Sequence, residues 1–398
     1  MQERTPEGGY VCFASTAPGL APLVARELST IGVTVADVEH DGVNFTGSAS
    51  ALYAANLWSR VASRVLVRIG AFRASAFYEL ERRAARLPWE RFLSADVPVH
   101  VRVTCRKSRL YHSDAVAERV MRVMAAATGA RTAAARGEDD GADAADVAAQ
   151  IVVVRLVRDH CTVSVDSSGA LLHRRGYRRA TAKAPVRETL AAALLLASDW
   201  DAAGSAPLVD PMCGAGTIAI EAALIARGRA PGLGRTFAFE RWPEFVPEAW
   251  AGVVAEARTR ERIPVAGTPR IHASDRDAGA VAAAEANAER AEVSQDIELA
   301  VRPLSALAPP AGPGWLVTNP PYGVRIGERE GLRDLYARLG DVARTRCAGW
   351  TVAILSGDRM LAGHTGLPFT PQLHTTHGGL PVDILVARVP GSAGAGHL

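Results

Sequence analysis

Two kinds of periodicity divide the chain near residue 187: before it, short strand-like runs are spaced by single helices, and after it strands and helices alternate. In the first part Leu23, Val24, Leu28 and Ile31 recur at helical spacing after Pro18 and Pro22 and stop at Gly32. This predicts a helix followed by a strand at 33–35. Val43-Asn44-Phe45 and 65–69 read as strands, with a helix over 52–58 between them, so a small α+β unit is expected at about 10–69. A second unit begins near Ala71. It has a strand over 99–103, a helix from about Asp114 to Ala127, and two strands, 151–156 and 161–165, joined by an Arg158-Asp159-His160 turn as a hairpin. Gly137 to Gly141 reads as an acidic loop, and the alanine-rich stretches 132–136 and 142–149 read as compositional bias without repeats.

From 188 onwards the predicted strands are 207–210, 270–275, 297–301, 315–318 and 350–355, with helices at 218–227, 278–290 and 332–344. Runs 373–376 and 384–387 close the series as a hairpin around Gly378-Gly379. Strands alternating with helices predict crossover units on a parallel sheet, hence an α/β fold in this half.

A length of 398 residues suits two or three domains, and 48% hydrophobic with 22% charged residues excludes wholesale disorder. The five cysteines are far apart with no C-x-x-C pair, which excludes a disulfide framework or a cysteine-rich metal site and suits a reducing cytoplasm. Residues 1–6 carry no apolar core segment, and the longest aliphatic run, Leu190 to Ala197, falls short of the ~20 residues of a membrane span. A soluble, cytoplasmic protein with no membrane partner is expected. The net charge of +3 hides an asymmetry: residues 60–187 hold 24 basic and 13 acidic side chains, against 2 and 6 in 1–59 and 19 and 23 in 188–398. A cationic middle segment fits a polyanion-binding surface. Arginine makes up 43 of the 45 basic residues, so a compositional bias on a solvated surface is the competing explanation.

Three stretches carry chemistry. Asp210-Pro211-Met212-Cys213-Gly214-Ala215-Gly216-Thr217-Ile218 joins the first predicted strand of the alternating half to its helix, and glycines there let a backbone approach a ligand at a helix N-terminus. The third position of a dinucleotide pattern falls at Ala219, so spacing alone leaves a dinucleotide open. Asp210 discriminates, because a carboxylate repels pyrophosphate and suits an ammonium group. Asp275 ends the next strand, where a carboxylate can accept both hydroxyls of an adenosine ribose or can cap the following helix. Asn319-Pro320-Pro321-Tyr322 follows the fourth strand. The Asn319 side-chain carbonyl and the Pro320 carbonyl are two acceptors suited to an exocyclic amine, and the Tyr322 ring can stack on the base that bears it.

Asp210 to Ile218, Asp275 and Asn319 to Tyr322, in that order on alternating strands, resemble the class I S-adenosylmethionine-dependent methyltransferases that methylate amino nitrogens. Val165-Asp166-Ser167-Ser168-Gly169, Leu172 to Arg178 and Ala184 to Leu190 look like the junction between a THUMP RNA-binding domain and the catalytic domain of bacterial guanine-N2 RNA methyltransferases of the large-subunit rRNA type. Ala54 to Arg60 is similar to the ferredoxin-like element that precedes THUMP in that family. The resemblance implies a ferredoxin-like segment at 1–69, THUMP at 70–170, a linker at 171–190 and a Rossmann-like methyltransferase domain at 191–398. It further implies catalytic Asn319, Pro320 and Tyr322, and cofactor contacts from Asp210, Gly214, Gly216, Thr217 and Asp275. Ser305 stands where the family often has an acidic residue for the adenine amine. His173, Arg174, Arg175, Tyr177, Arg178 and Arg179 suggest a phosphate clamp. Arg106, Lys107 and Arg109 with Tyr111 and His112 suggest a second RNA patch. Cys213 reads as packing and not as a nucleophile. The implied activity is methyl transfer from S-adenosylmethionine to a guanine N2 in rRNA, without a metal. A tRNA guanine-N2 enzyme, a DNA adenine methyltransferase and a non-catalytic RNA-binding module are the alternatives.

Overall fold

The computed structural model describes residues 9–134, 149–179, 186–262, 270–322 and 329–391. The acidic loop at 137–141 and the Ala184-Pro185 part of the junction motif lie outside them. The described residues fall into two units, one within 9–16, 24–172 and 232–256, the other within 17–23, 173–231 and 257–391.

The amino-terminal elements are β1 (Tyr10–Ser15), α1 (Ala21–Thr30), β2 (Thr34–Glu39), β3 (Gly42–Gly47), α2 (Ala49–Trp58), β4 (Arg64–Arg73), α3 (Phe77–Ala84), β5 (Val99–Arg106), α4 (Ser113–Thr128), β6 (Thr132–Ala134), β7 (Gln150–Val157) and β8 (His160–Asp166). All eight strands share one sheet in the order β2-β3-β1-β4-β8-β7-β5-β6. β4 pairs with β1 through Arg64–Val67 and with β8 through Leu66–Arg73, so the boundary expected at 69/70 falls inside one strand, at a register shift between Arg68 and Gly70. The β7–β8 hairpin forms as expected, with Arg158 and Asp159 both left-handed (φ 51° and 63°), as a tight two-residue turn requires.

The Asp166-Ser167-Ser168 motif is wholly buried in this unit. Asp166 pairs with Arg64, Ser168 donates to Asn56 Oδ1 (2.6 Å), and Asn56 donates to Ser167 (2.8 Å). These bonds tie the end of β8 to α2 and β4, so every buried polar group there is matched. Residues 232–256 lie in sequence between two strands of the other sheet, yet they pack within this first unit. Phe239 stacks on Tyr53 (centroids 4.3 Å), Trp242 meets Phe92 edge-on (5.0 Å), and Trp242 Nε1 donates to Gln150 (2.8 Å).

The remaining elements are α5 (Glu188–Ala197), β9 (Leu208–Asp210), α6 (Thr217–Ala226), α7 (Pro247–Arg260), β10 (Ile271–Asp275), α8 (Ala278–Arg290), β11 (Ile297–Val301), β12 (Trp315–Thr318), α9 (Arg329–Arg346), β13 (Thr351–Ser356), α10 (Arg359–Gly363), β14 (Thr370–His377) and β15 (Leu380–Arg388). The second sheet runs β11-β10-β9-β12-β13-β15-β14, with five parallel strands and an antiparallel hairpin at one edge. Leu316, Tyr336, Leu339, Trp350, Val352 and Ile354 are buried together under α9 and form its core. The strand order reverses between β9 and β12, and in an open α/β sheet the crevice at the carboxyl ends of such neighbours is where ligands bind. No helix among the described residues is long and apolar enough to cross a membrane.

Candidate active site

β9 ends in Asp210, which is wholly buried. Its Oδ1 accepts from Thr318 Oγ1 of β12 (2.7 Å) and from the Met212 amide (3.2 Å), while Oδ2 has no hydrogen-bond partner among the described residues. Burial lifts its pKa to about 7 against the lowering effect of the two hydrogen bonds, and neighbouring Asp275 adds to the rise. Gly214 and Gly216 are left-handed (φ 53° and 82°), and Gly216 is the N-cap of α6, with Thr217 the buried first residue. A Cβ on Gly216 would lie 2.9 Å from the Ala284 Cβ of α8, so glycine there permits both the turn and the close helix approach. Cys213 is buried in the same turn, and burial holds its thiol well above the usual range, which agrees with packing.

Asp275 accepts from the Gly214 amide through Oδ2 (3.0 Å) and from the Asp277 amide through Oδ1 (3.0 Å). The helix cap is Asp277, which accepts from Gly279 and Ala280, so Asp275 does not cap α8 itself. Asn287 went unnoticed in the sequence because it sits in an alanine-rich helix. It is buried and donates to the Ala215 carbonyl (3.0 Å), while Arg290 bonds both Asn287 Oδ1 and the Tyr177 carbonyl. Ser305 lies exposed in a short turn after edge strand β11.

Asn319 follows β12 directly, and its buried Oδ1 also has no hydrogen-bond partner among the described residues. Pro320 is buried. The Tyr322 hydroxyl is 2.7 Å from His377 Nδ1, and a Cβ on Gly357 would fall 2.7 Å from the Tyr322 ring, so the ring is fixed at its hydroxyl end and along one edge. Neither His377 nor Gly357 carried a sequence signal, since Gly357 follows β13 and His377 ends β14, and their meeting with Tyr322 depends on the β12–β13, β13–β15 and β14–β15 pairings. Burial raises the tyrosine pKa.

The expected phosphate clamp at 173–179 is largely corrected. His173 and Tyr177 are buried, Arg175 is 3.5 Å from Glu221, and Arg178 is 3.1 Å from Glu188. The Arg175 side chain is 3% exposed and that of Arg178 16%, so their charges are spent on buried carboxylates of α5 and α6. The Tyr177 hydroxyl donates to Glu221 (3.1 Å), and burial among arginines lowers the His173 pKa to about 3. In the other unit, Arg106 and Lys107 are exposed, as are Arg109, Tyr111 and His112.

The groups at the crevice suit S-adenosylmethionine. Asp210 offers a buried carboxylate oxygen, without a partner among the described residues, for an ammonium, and the left-handed glycines offer a bare backbone beside it.

The RMKL-like methyltransferase domain model matches residues 175–377, and the RlmL ferredoxin-like domain model matches residues 11–66. A Synechocystis protein, slr0064, whose name assigns it as an RNA methyltransferase, is 34% identical over 374 residues, covering 94% of this chain and 95% of its own. The ribosomal RNA large subunit methyltransferase K/L of Syntrophotalea carbinolica is 39% identical over 89% of this chain. The chain spans about half the length of such K/L relatives. Among solved structures, a predicted N6-adenine-specific DNA methylase from Listeria monocytogenes superposes with TM-score 0.82 at 31% identity, covering 96% of both chains. The methyltransferase SMU.472, solved with SAH, gives TM-score 0.81 at 27% identity, covering 96% and 98%. With the glycine turn, the two strand-end carboxylates and the Asn-Pro-Pro-Tyr segment all on one Rossmann-like sheet, the chain belongs to the RMKL-like methyltransferase family.

Proposed function

We propose that this chain methylates the exocyclic N2 amine of a guanine in large-subunit ribosomal RNA, with S-adenosylmethionine as methyl donor. The observation that carries the reading is the buried Asn319 Oδ1, without a hydrogen-bond partner among the described residues, just after β12 and next to Asp210 at the end of β9. S-adenosylmethionine supplies an electrophilic methyl carbon on a sulfonium. Asp210 holds the ammonium of its methionine part, Asp275 the ribose, and the turn at Gly214–Thr217 the backbone-facing edge. Asn319 Oδ1 and the Pro320 carbonyl accept the two amine N–H groups, which leaves the nitrogen lone pair aimed at the methyl group. Tyr322, held by His377, gives the flipped base a surface to stack on. Forming the N–C bond would break the sulfonium C–S bond and release S-adenosylhomocysteine, and the amine proton would leave late to solvent, so alignment matters more than a strong base. Arg106 and Lys107, together with Arg174, contact phosphates.

The RNA names of the relatives support RNA over DNA, although the Asn319–Tyr322 geometry suits an adenine N6 amine equally. Mass spectrometry of nucleosides from the rRNA and tRNA of a deletion strain tests the assignment. Loss of N2-methylguanosine from rRNA alone is expected. Loss from tRNA alone transfers the activity to tRNA, and unchanged RNA nucleosides overturn the reading.

A further inference from the structure

We propose that the first unit carries a docking strip for an unpaired stretch of RNA, built from the aligned ends of four neighbouring strands and the turns beside them. This rests on the RNA reading above and names where and in what form the RNA is held. Across the order β4-β8-β7-β5 the pairing register brings Arg73 opposite His160, His160 opposite Val157, and Val157 opposite Arg106. Arg158 sits in the turn between β7 and β8, and Lys107 follows β5 directly. Every one of these residues is exposed. Residues dispersed between positions 73 and 160 thus form one cationic row that composition alone could not place.

Three features separate this row from an ordinary solvated surface. Other arginines of the same unit are spent on carboxylates, as Arg91 is on Glu244, Arg119 on Glu81 and Arg122 on Glu118. The one carboxylate within the two turns, Asp159, already accepts the Arg109 amide at 2.7 Å and is therefore occupied locally. The two turns are also fastened together: the Arg158 amide donates to the Arg106 carbonyl (3.1 Å) and the Asp159 amide to Ser108 Oγ (3.1 Å). Such a fixed row loses little freedom on meeting a phosphate backbone.

Tyr111 specifies the form of the ligand. The residue is 69% exposed, and its ring lies beside that of His112 with centroids 4.0 Å apart. An exposed ring next to cations can stack on a base only if that base is out of a helix, because duplex RNA presents its bases to one another and its major groove is too narrow for side chains. The strip therefore fits a loop or single strand whose phosphates lie along Arg73, Arg158 and Arg106 while one base stacks on Tyr111.

The test uses the full chain and fluorescence anisotropy with two probes, a short single-stranded RNA and a hairpin-free RNA duplex of equal length. Tyr111→Ala should weaken single-strand binding roughly 5- to 150-fold and leave duplex binding within twofold. The double variant Arg106→Ala/Arg158→Ala should flatten the slope of log K against log salt by about two units or less, while Arg122→Ala, at a paired arginine, leaves it unchanged. If the wild-type chain binds neither RNA, the RNA reading itself falls. If the wild type binds and the strip variants bind equally well, or Tyr111→Ala affects both probes alike, the strip alone is overturned. Equal competition by polyglutamate would assign the row to an acidic protein and overturn it as well.

Discussion

Asp210 Oδ2 and Asn319 Oδ1 are buried acceptors without hydrogen-bond partners among the described residues, at the ends of neighbouring strands. Leaving such a group unpaired costs about 1–3 kcal/mol, which a ligand donor can offset. With Asn319 serving the amine and not the cofactor, as proposed, Asn319→Ala should slow methyl transfer by roughly 100-fold or more while S-adenosylmethionine affinity, read by calorimetry, stays within a few fold. Near-normal turnover would remove Asn319 from the role. Asp210 predicts a pH dependence. Burial raises its pKa to about 7, so the free protein keeps a proton there below that pH, and an ammonium ligand must expel it. Cofactor affinity should therefore climb as pH rises towards about 7 and level off above, with proton release seen in buffers of different ionisation enthalpy. The same raised pKa makes the unliganded protein lose stability as pH rises from the usual carboxylate range to about 7, and Asp210→Asn should flatten both profiles. A wild-type affinity independent of pH would contradict the ammonium contact.

At the scale of elements, the cofactor turn is braced from α8. Asn287 holds the Ala215 carbonyl, and α8 approaches so closely at Ala284 that Gly216 has no room for a side chain. Asn287→Ala should leave a buried carbonyl unpaired and raise the cofactor Kd roughly 5- to 100-fold, with less effect on turnover at saturating cofactor. Loss of a purely structural residue would instead weaken cofactor affinity and turnover together, along with thermal stability. This brace marks where the sequence stops being legible. The alternating strands and the three site stretches were readable because each is local: a strand, its end and the turn that follows. α5 carries no helical stripe because residues from Glu188 to Leu195 are buried on every side, so its run reads only as aliphatic. The arginines at 175 and 178 announced charge, but their partners Glu221 and Glu188 sit in helices that read as apolar. β4 joins two expected units through pairs such as Leu66 with Asp166, a separation that no local pattern reports.

For the whole molecule, residues 232–256 matter most to how the chain can be cut. They lie inside the methyltransferase sequence but pack with Tyr53, Phe92 and Gln150 of the first unit. Aromatic side chains bury about 150–250 Å² each, so freeing Phe237, Phe239, Trp242 and Trp250 would expose more apolar area than the few hundred Å² monomeric proteins usually carry. A fragment of 173–398 should aggregate, whereas the same fragment with 232–256 replaced by a short glycine-serine loop should run as a single species on gel filtration and bind S-adenosylmethionine. A monodisperse 173–398 fragment would contradict that packing. The central claim, that this sheet methylates a guanine amine in RNA, is tested most directly by incubating the full chain with unmodified large-subunit rRNA and S-adenosylmethionine carrying a deuterated methyl group, then identifying the labelled nucleoside by mass spectrometry. Deuterated N2-methylguanosine, absent with Asn319→Ala, is the predicted result. Label in N6-methyladenosine, or no label in RNA while a DNA adenine becomes labelled, would contradict it.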